Sequence, residues 1–157
     1  MKEILTDVEI DAPPTRVWTV LTDFEAYDEW NPFLRIVGKP NVGSRPQVRL
    51  TPPSGRGMAF RPEVTVAEPN REFRWVGHLY LSGLFDGEHR FVLEPLDDGA
   101  RTRFVHGETF SGVLAGPLLR VSGDDTRAGF EAMNEALKRR AEESVGSSRT
   151  PRPSTAE

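Results

Sequence analysis

The sequence predicts an α+β domain: a run of antiparallel strands, a long C-terminal helix packed across them, and two short helices after the first strand. Three observations predict it. Residues 2–10 alternate apolar and polar, as do 85–95 and 101–110, with the period of half-buried strands. Clusters of Pro, Gly, Asn and Asp separate the strands by connections short enough to imply antiparallel neighbours. From Pro117 onward apolar residues recur instead at three- and four-residue steps. Strands set apart from helices in this way mean α+β.

The elements follow in order. Ile4, Thr6, Val8 and Ile10 share one face of the first strand, and Ala12-Pro13-Pro14 ends it, since proline cannot continue a ladder but suits a helix start. Val17, Trp18, Val20 and Leu21 then mark a helix ending near Asp23. A second short helix over 24–30 stops at Asn31-Pro32, because a residue before proline avoids the helical region. Strands are expected over 34–37, 47–51, 58–68, 73–81, 85–95 and 101–110, with Pro62 marking an edge or a bulge in the third of these. Leu119, Ser122, Thr126, Phe130, Met133, Leu137 and Ala141 form the inner face of the long helix, small or polar early and mostly bulky late. Gly123-Asp124-Asp125 predicts a kink or interruption in it. The Ser-, Thr- and Pro-rich stretch 144–157 is expected to be a disordered tail, which leaves residues 1–143 as the folded domain.

Composition excludes several chemistries. The 157 residues suit one domain of the usual ~100–200 residues. The absence of cysteine removes disulfides, thiol catalysis and Cys-ligated metals. With 20 basic against 24 acidic residues there is no global field to attract nucleic acid. Residues 1–14 lack the apolar core of a secretory signal, and no apolar run approaches the ~18–20 residues of a membrane helix. A cytoplasmic protein without integral membrane association is expected, as a monomer or homodimer.

The stretch Ile10-Asp11-Ala12-Pro13-Pro14-Thr15-Arg16-Val17-Trp18, followed by Leu21-Thr22-Asp23-Phe24 and Trp30-Asn31-Pro32-Phe33, resembles the opening of the SRPBCC superfamily, the START and birch-pollen-allergen-like group, in its polyketide cyclase/dehydrase branch. Pro69-Asn70-Arg71-Glu72-Phe73-Arg74-Trp75, Gly87-Glu88-His89-Arg90-Phe91 and Gly107-Glu108-Thr109-Phe110-Ser111-Gly112 extend the resemblance over about residues 1–142. It implies the helix-grip fold, a curved antiparallel sheet wrapped around the C-terminal helix with an apolar cavity between them. It also implies a hydrophobic small-molecule ligand, such as a lipid, sterol or polyketide. Some members catalyse aldol-type cyclisation or dehydration, and many are silent carriers, so function must be argued from the cavity.

Alternation supplies the inward face. If 97–100 forms a hairpin loop, Phe91 lies opposite His106, His89 opposite Glu108 and Leu93 opposite Phe104, all on one face, while Glu88, Arg90, Glu94, Arg101 and Arg103 take the other. Two histidines and a carboxylate then converge on an aromatic surface. His89 and Glu108 could act as an oriented acid/base pair, with His106 as second proton donor or ligand anchor. The same trio also reads as a hydrogen-bonded cluster that only fixes the sheet or orients a ligand. As metal ligands His89, His106 and Glu108 have no specialised spacing, and no metal or cofactor is expected. His78 alternates with Trp75, Gly77 and Leu79 and is expected at the surface. Trp30, Phe33, Phe60, Trp75, Tyr80, Phe85, Phe91, Phe104, Phe130 and Met133 are the candidate ligand-binding residues, although aromatic stripes at these periods more often describe a core than a pocket. The leading expectation is a binding module for a hydrophobic, lipid- or polyketide-like molecule. The alternative is a cofactor-independent polyketide cyclase or dehydratase using the His/Glu pair.

Overall fold

In the computed structural model, which describes residues 2–55, 57–79 and 82–149, the chain opens with strand β1 (Lys2–Ile10). Helix α1 (Pro14–Thr22) follows, with Pro13 extended at its N-cap and Pro14 in the first turn, where a missing N–H costs nothing. Its buried stripe is Val17, Val20 and Leu21. The second short helix is a 3-10 helix, Phe24–Glu29, that buries Phe24 and Tyr27. The chain then turns on Asn31, whose side-chain oxygen accepts from the N–H groups of Phe33 and Leu34, both at 2.9 Å.

The remaining strands are β2 (Leu34–Val37), β3 (Gln47–Leu50), β4 (Met58–Phe60), β5 (Glu63–Glu68), β6 (Glu72–Leu79), β7 (Phe85–Leu96) and β8 (Arg101–Ser111). They form two antiparallel sheets, a five-stranded one ordered β1-β8-β7-β6-β5 and a three-stranded one ordered β2-β3-β4. The single strand expected over 58–68 is therefore two strands in different sheets. Pro62 sits at the break, where the chain lacks the N–H needed to continue a ladder. Ser44 and Gly43 bond the backbone of Val64, so the loop before β3 covers part of the β5 edge.

Helix α2 (Ala115–Arg149) is continuous, and the interruption expected at Gly123-Asp124-Asp125 does not occur. An interior glycine costs a helix only about 1 kcal/mol against alanine, and tertiary contacts flank this point. The Asp125 carboxylate accepts from the Ser54 hydroxyl at 2.5 Å and the Ser54 N–H at 3.1 Å, on the loop between β3 and β4. The helix extends past the expected domain boundary at residue 143, and residues 150–157 of the expected tail lie outside the described residues.

The outward face of the five-stranded sheet carries the expected charges as ion pairs. Arg103 bridges Asp7 at 2.9 Å and Glu94 at 2.8 Å, Arg101 meets Glu9 at 3.3 Å, and Arg90 pairs with Glu3. Exposed pairs of this kind contribute about 0–1 kcal/mol each. The stabilising mass is on the other face, where Phe73, Trp75, Phe91, Phe104, Phe130, Met133 and Leu137 are buried between sheet and α2.

Candidate functional site

The β7–β8 pairing is the one expected: His89 opposite Glu108, Phe91 opposite His106 and Leu93 opposite Phe104. Extended across the sheet, the inward residues form parallel rows. One row runs Thr6, His106, Phe91, Phe73, and the next runs Ile4, Glu108, His89, Trp75, Val64. In the row beyond, Phe110 is followed by Gly87 and Gly77, two paired positions with no side chain.

That row opens the cavity. A Cβ on Gly77 would stand 3.2 Å from the Phe60 ring, and one on Gly87 would stand 2.2 Å from Glu108 Oε2. The two glycines thus let Phe60 and the Glu108 carboxylate lie over the sheet. Above them is a cavity of about 290 Å³. Phe85, Phe110 and Glu108 wall it on the sheet side, Leu50, Met58 and Phe60 on the small-sheet side, and Leu118, Leu119, Ser122 and Thr126 on α2. The small, polar early half of the helix faces the hollow, whereas Phe130 and Met133 are fully buried in the packed half of the core.

Of the sequence-predicted residues, Glu108, Phe60 and Phe85 line this cavity. His89 and His106 are brought together with Glu108 but lie behind it, at 1% and 0% exposure. Phe33, Trp75, Phe91, Phe104, Phe130 and Met133 are buried core side chains that do not line it, and Trp30 packs on Tyr27 with ring centres 5.0 Å apart. Tyr80 lies outside the described residues. His78 is exposed as expected, at the cavity rim, with Nδ1 2.8 Å from Asp86.

The buried polar groups form one chain. Glu108 Oε1 is 3.0 Å from His89 Nδ1, and His89 Nε2 is 2.7 Å from His106 Nε2. His106 Nδ1 is 2.9 Å from Asn134 Oδ1, Asn134 Nδ2 donates to Thr6 Oγ1 at 2.8 Å, and Thr6 donates to the His106 carbonyl at 2.9 Å. Asn134 was not singled out from sequence. The available signal was its place four residues after Phe130, an amide on the apolar stripe of α2.

With the Asn134 amide turned so that its nitrogen meets Thr6 and its oxygen meets His106, hydrogen counting gives the polarity of this chain. Thr6 has one hydroxyl proton, given to a carbonyl, so its oxygen accepts from the Asn134 amide and turns Asn134 Oδ1 toward His106. His106 therefore donates through Nδ1. Burial, reinforced by the neighbouring His89, pushes its pKa well below the usual 6.5, so the ring is neutral and Nε2 accepts from His89. His89 Nδ1 and Glu108 Oε1 then face each other at 3.0 Å, a contact that two lone pairs would not hold. One proton lies between them, and the pair is neutral overall, as carboxylate with imidazolium or acid with imidazole. The rings of Trp75, Phe91 and Phe130 surround His89 at centre distances of 4.9, 4.8 and 5.0 Å.

His106 gives a stability prediction with a definite sign. Its folded-state pKa is depressed, so below pH 6.5 the unfolded chain takes up a proton that the folded ring refuses. The associated stability is present above that pH and is lost as pH falls, by about 1.4 kcal/mol per unit. Urea unfolding at pH 7.5 and 5.5 should show the native protein losing about 1.4 kcal/mol more than His106→Gln. Equal losses would remove His106 as the origin.

A family model described as polyketide cyclase / dehydrase and lipid transport matches residues 1–143. The chain belongs to this family. No curated protein matches the sequence. Among solved structures, the Zhui aromatase/cyclase from Streptomyces sp. R1128 is similar at TM-score 0.72 and 17% identity, covering 92% of this chain and 95% of that one. A START superfamily protein from Mycobacterium smegmatis is similar at TM-score 0.65 and 23% identity, covering 90% and 97%. A Chromobacterium violaceum protein is similar at TM-score 0.68 and 20% identity, covering 89% and 96%. These likenesses establish the helix-grip fold of this polyketide cyclase/dehydrase family member. Among the described residues no helix is long and apolar enough to cross a membrane.

Proposed function

We propose that this family member binds a hydrophobic small molecule in the cavity between the five-stranded sheet and the first turns of α2. The observation that carries this is the hollow over Gly77 and Gly87, walled mostly by apolar side chains with Glu108 as the one carboxylate among the described lining residues. The test is uptake of a lipophilic dye, together with native mass spectrometry of protein purified from its host. Gly77→Leu, which projects a side chain into the hollow beside Phe60, should lower dye affinity at least tenfold, with unchanged circular dichroism. Absence of uptake by the native protein would refute the reading.

A second reading, cofactor-free cyclisation or dehydration, is favoured by the proton shared between Glu108 and His89. Glu108 Oε2 would take a proton from a carbon flanked by carbonyls, and the resulting carbanion would attack a second carbonyl carbon. The alkoxide so formed would take the proton back, closing a ring. His89 would hold the carboxyl group in place and balance its charge. His106, Asn134 and Thr6 would orient His89 from behind. The reading fails if His89→Ala and Glu108→Gln leave turnover intact.

A further inference from the structure

The two carboxylate oxygens of Glu108 have different surroundings. Oε1 is committed to His89 and to the single proton of that contact. Oε2 lies over Gly87, at the edge of the hollow, and has no hydrogen-bond partner among the described residues. In both forms of the pair the proton is on the Oε1 side, so Oε2 offers lone pairs only. Among the described residues lining the cavity there is no lysine or arginine. An anionic ligand would meet a bare acceptor there, and the one basic side chain among the described lining residues, His78, is already engaged by Asp86 at 2.8 Å, so its binding is unfavourable. On the opposite wall Ser122 gives its hydroxyl proton to the Leu118 carbonyl at 3.0 Å, and Thr126 supplies a second hydroxyl.

We propose that the cavity selects an uncharged apolar hydroxy compound, a phenol, enol or alcohol, which donates its hydroxyl proton to Glu108 Oε2, and that it rejects carboxylates such as fatty-acid anions. The inference rests on the cavity-binding reading and names its ligand class. Glu108 is the specificity-determining group. His89 keeps Oε2 free of protons by holding the only one at Oε1.

The experiment compares three probes of one shape, naphthalene, 2-naphthol and 2-naphthoate, by fluorescence or calorimetric titration at pH 7 against native protein, Glu108→Leu and Glu108→Gln. Native protein should bind 2-naphthol about tenfold more tightly than naphthalene, as a hydrogen bond to a carboxylate implies, and 2-naphthoate more weakly than either. Glu108→Leu should bind naphthalene and 2-naphthol alike. Glu108→Gln turns its amide N–H to His89 and its carbonyl to the cavity, so it should keep a reduced naphthol preference of about threefold. Naphthoate binding as tightly as naphthol in the native protein overturns the inference alone, as does a naphthol preference that survives undiminished in Glu108→Leu. Failure of all three probes to bind overturns the cavity reading and the ligand class with it. The ranking on native protein decides the matter even if Glu108→Leu does not fold.

Discussion

Glu108→Gln should lower any turnover by about 10²–10⁴-fold, the range of a lost general acid or base, while the protein remains folded. The expectation follows from the proton count. The His89–Glu108 pair is neutral as a unit, so a neutral amide replaces the carboxyl group without leaving a charge unbalanced. Its N–H can donate to His89 Nδ1 across the 3.0 Å now spanned by the shared proton. An amide does not take a proton from carbon, so chemistry is lost where packing is kept. The measurement need not await the natural substrate. Exchange of the α-hydrogens of a soluble aryl β-diketone into D₂O reports proton removal directly. Native protein should accelerate it and Glu108→Gln should not. Equal rates in both would end the catalytic reading and leave the binding one standing.

Phe91→Ala should cost about 3–5 kcal/mol of unfolding free energy, a large share of the ~5–15 kcal/mol typical of a domain. Phe91 is 1% exposed. Its ring centre lies 4.8 Å from those of His89 and His106 and 5.5 Å from that of Trp75. Truncation leaves a void that no nearby chain is free to fill and unseats the two histidines. Phe85→Ala makes the contrast. Phe85 stacks on Phe110 at the cavity wall, with centres 5.5 Å apart, so its loss should change probe affinity more than the urea midpoint. A Phe91→Ala protein of near-native stability but weakened naphthol binding would move Phe91 from the core to the cavity lining.

The pair Phe91 and Phe85 also shows where sequence reading stops. Both sit on the inward face of one strand, six residues apart and so in the same phase of its alternation. Periodicity does not say what stands opposite. Phe91 lies in the packed half, where Phe130 and Met133 are buried, and Phe85 lies across from the Ser122–Thr126 stretch, so one is core and the other is wall. The register of β7 on β8 was legible because a one-residue slip would have turned His89, Phe91 and Leu93 to water. The proton chain was half legible. His89, His106 and Glu108 follow from that register, but Asn134 and Thr6 join only when α2 is laid across β1 and β8. The break at Pro62 had a sequence sign that is equally consistent with a bulge, and only the separate pairing of β4 and β5 distinguishes the two.

The cross-strand pair Gly77 and Gly87 has a consequence in terms of inheritance. The cavity exists because two side chains are missing, not because special ones are present. Glycine codons lie one base from those of valine, aspartate, serine and arginine, each of which would thrust atoms into the hollow. Most of the buried aromatic core lies outside that row and would be untouched. A single-base change at either position would thus fill part of the hollow on which the proposed binding depends, while leaving that core's contacts in place. A lineage could lose the hollow, keep a folded descendant, and recover the hollow by the reverse change.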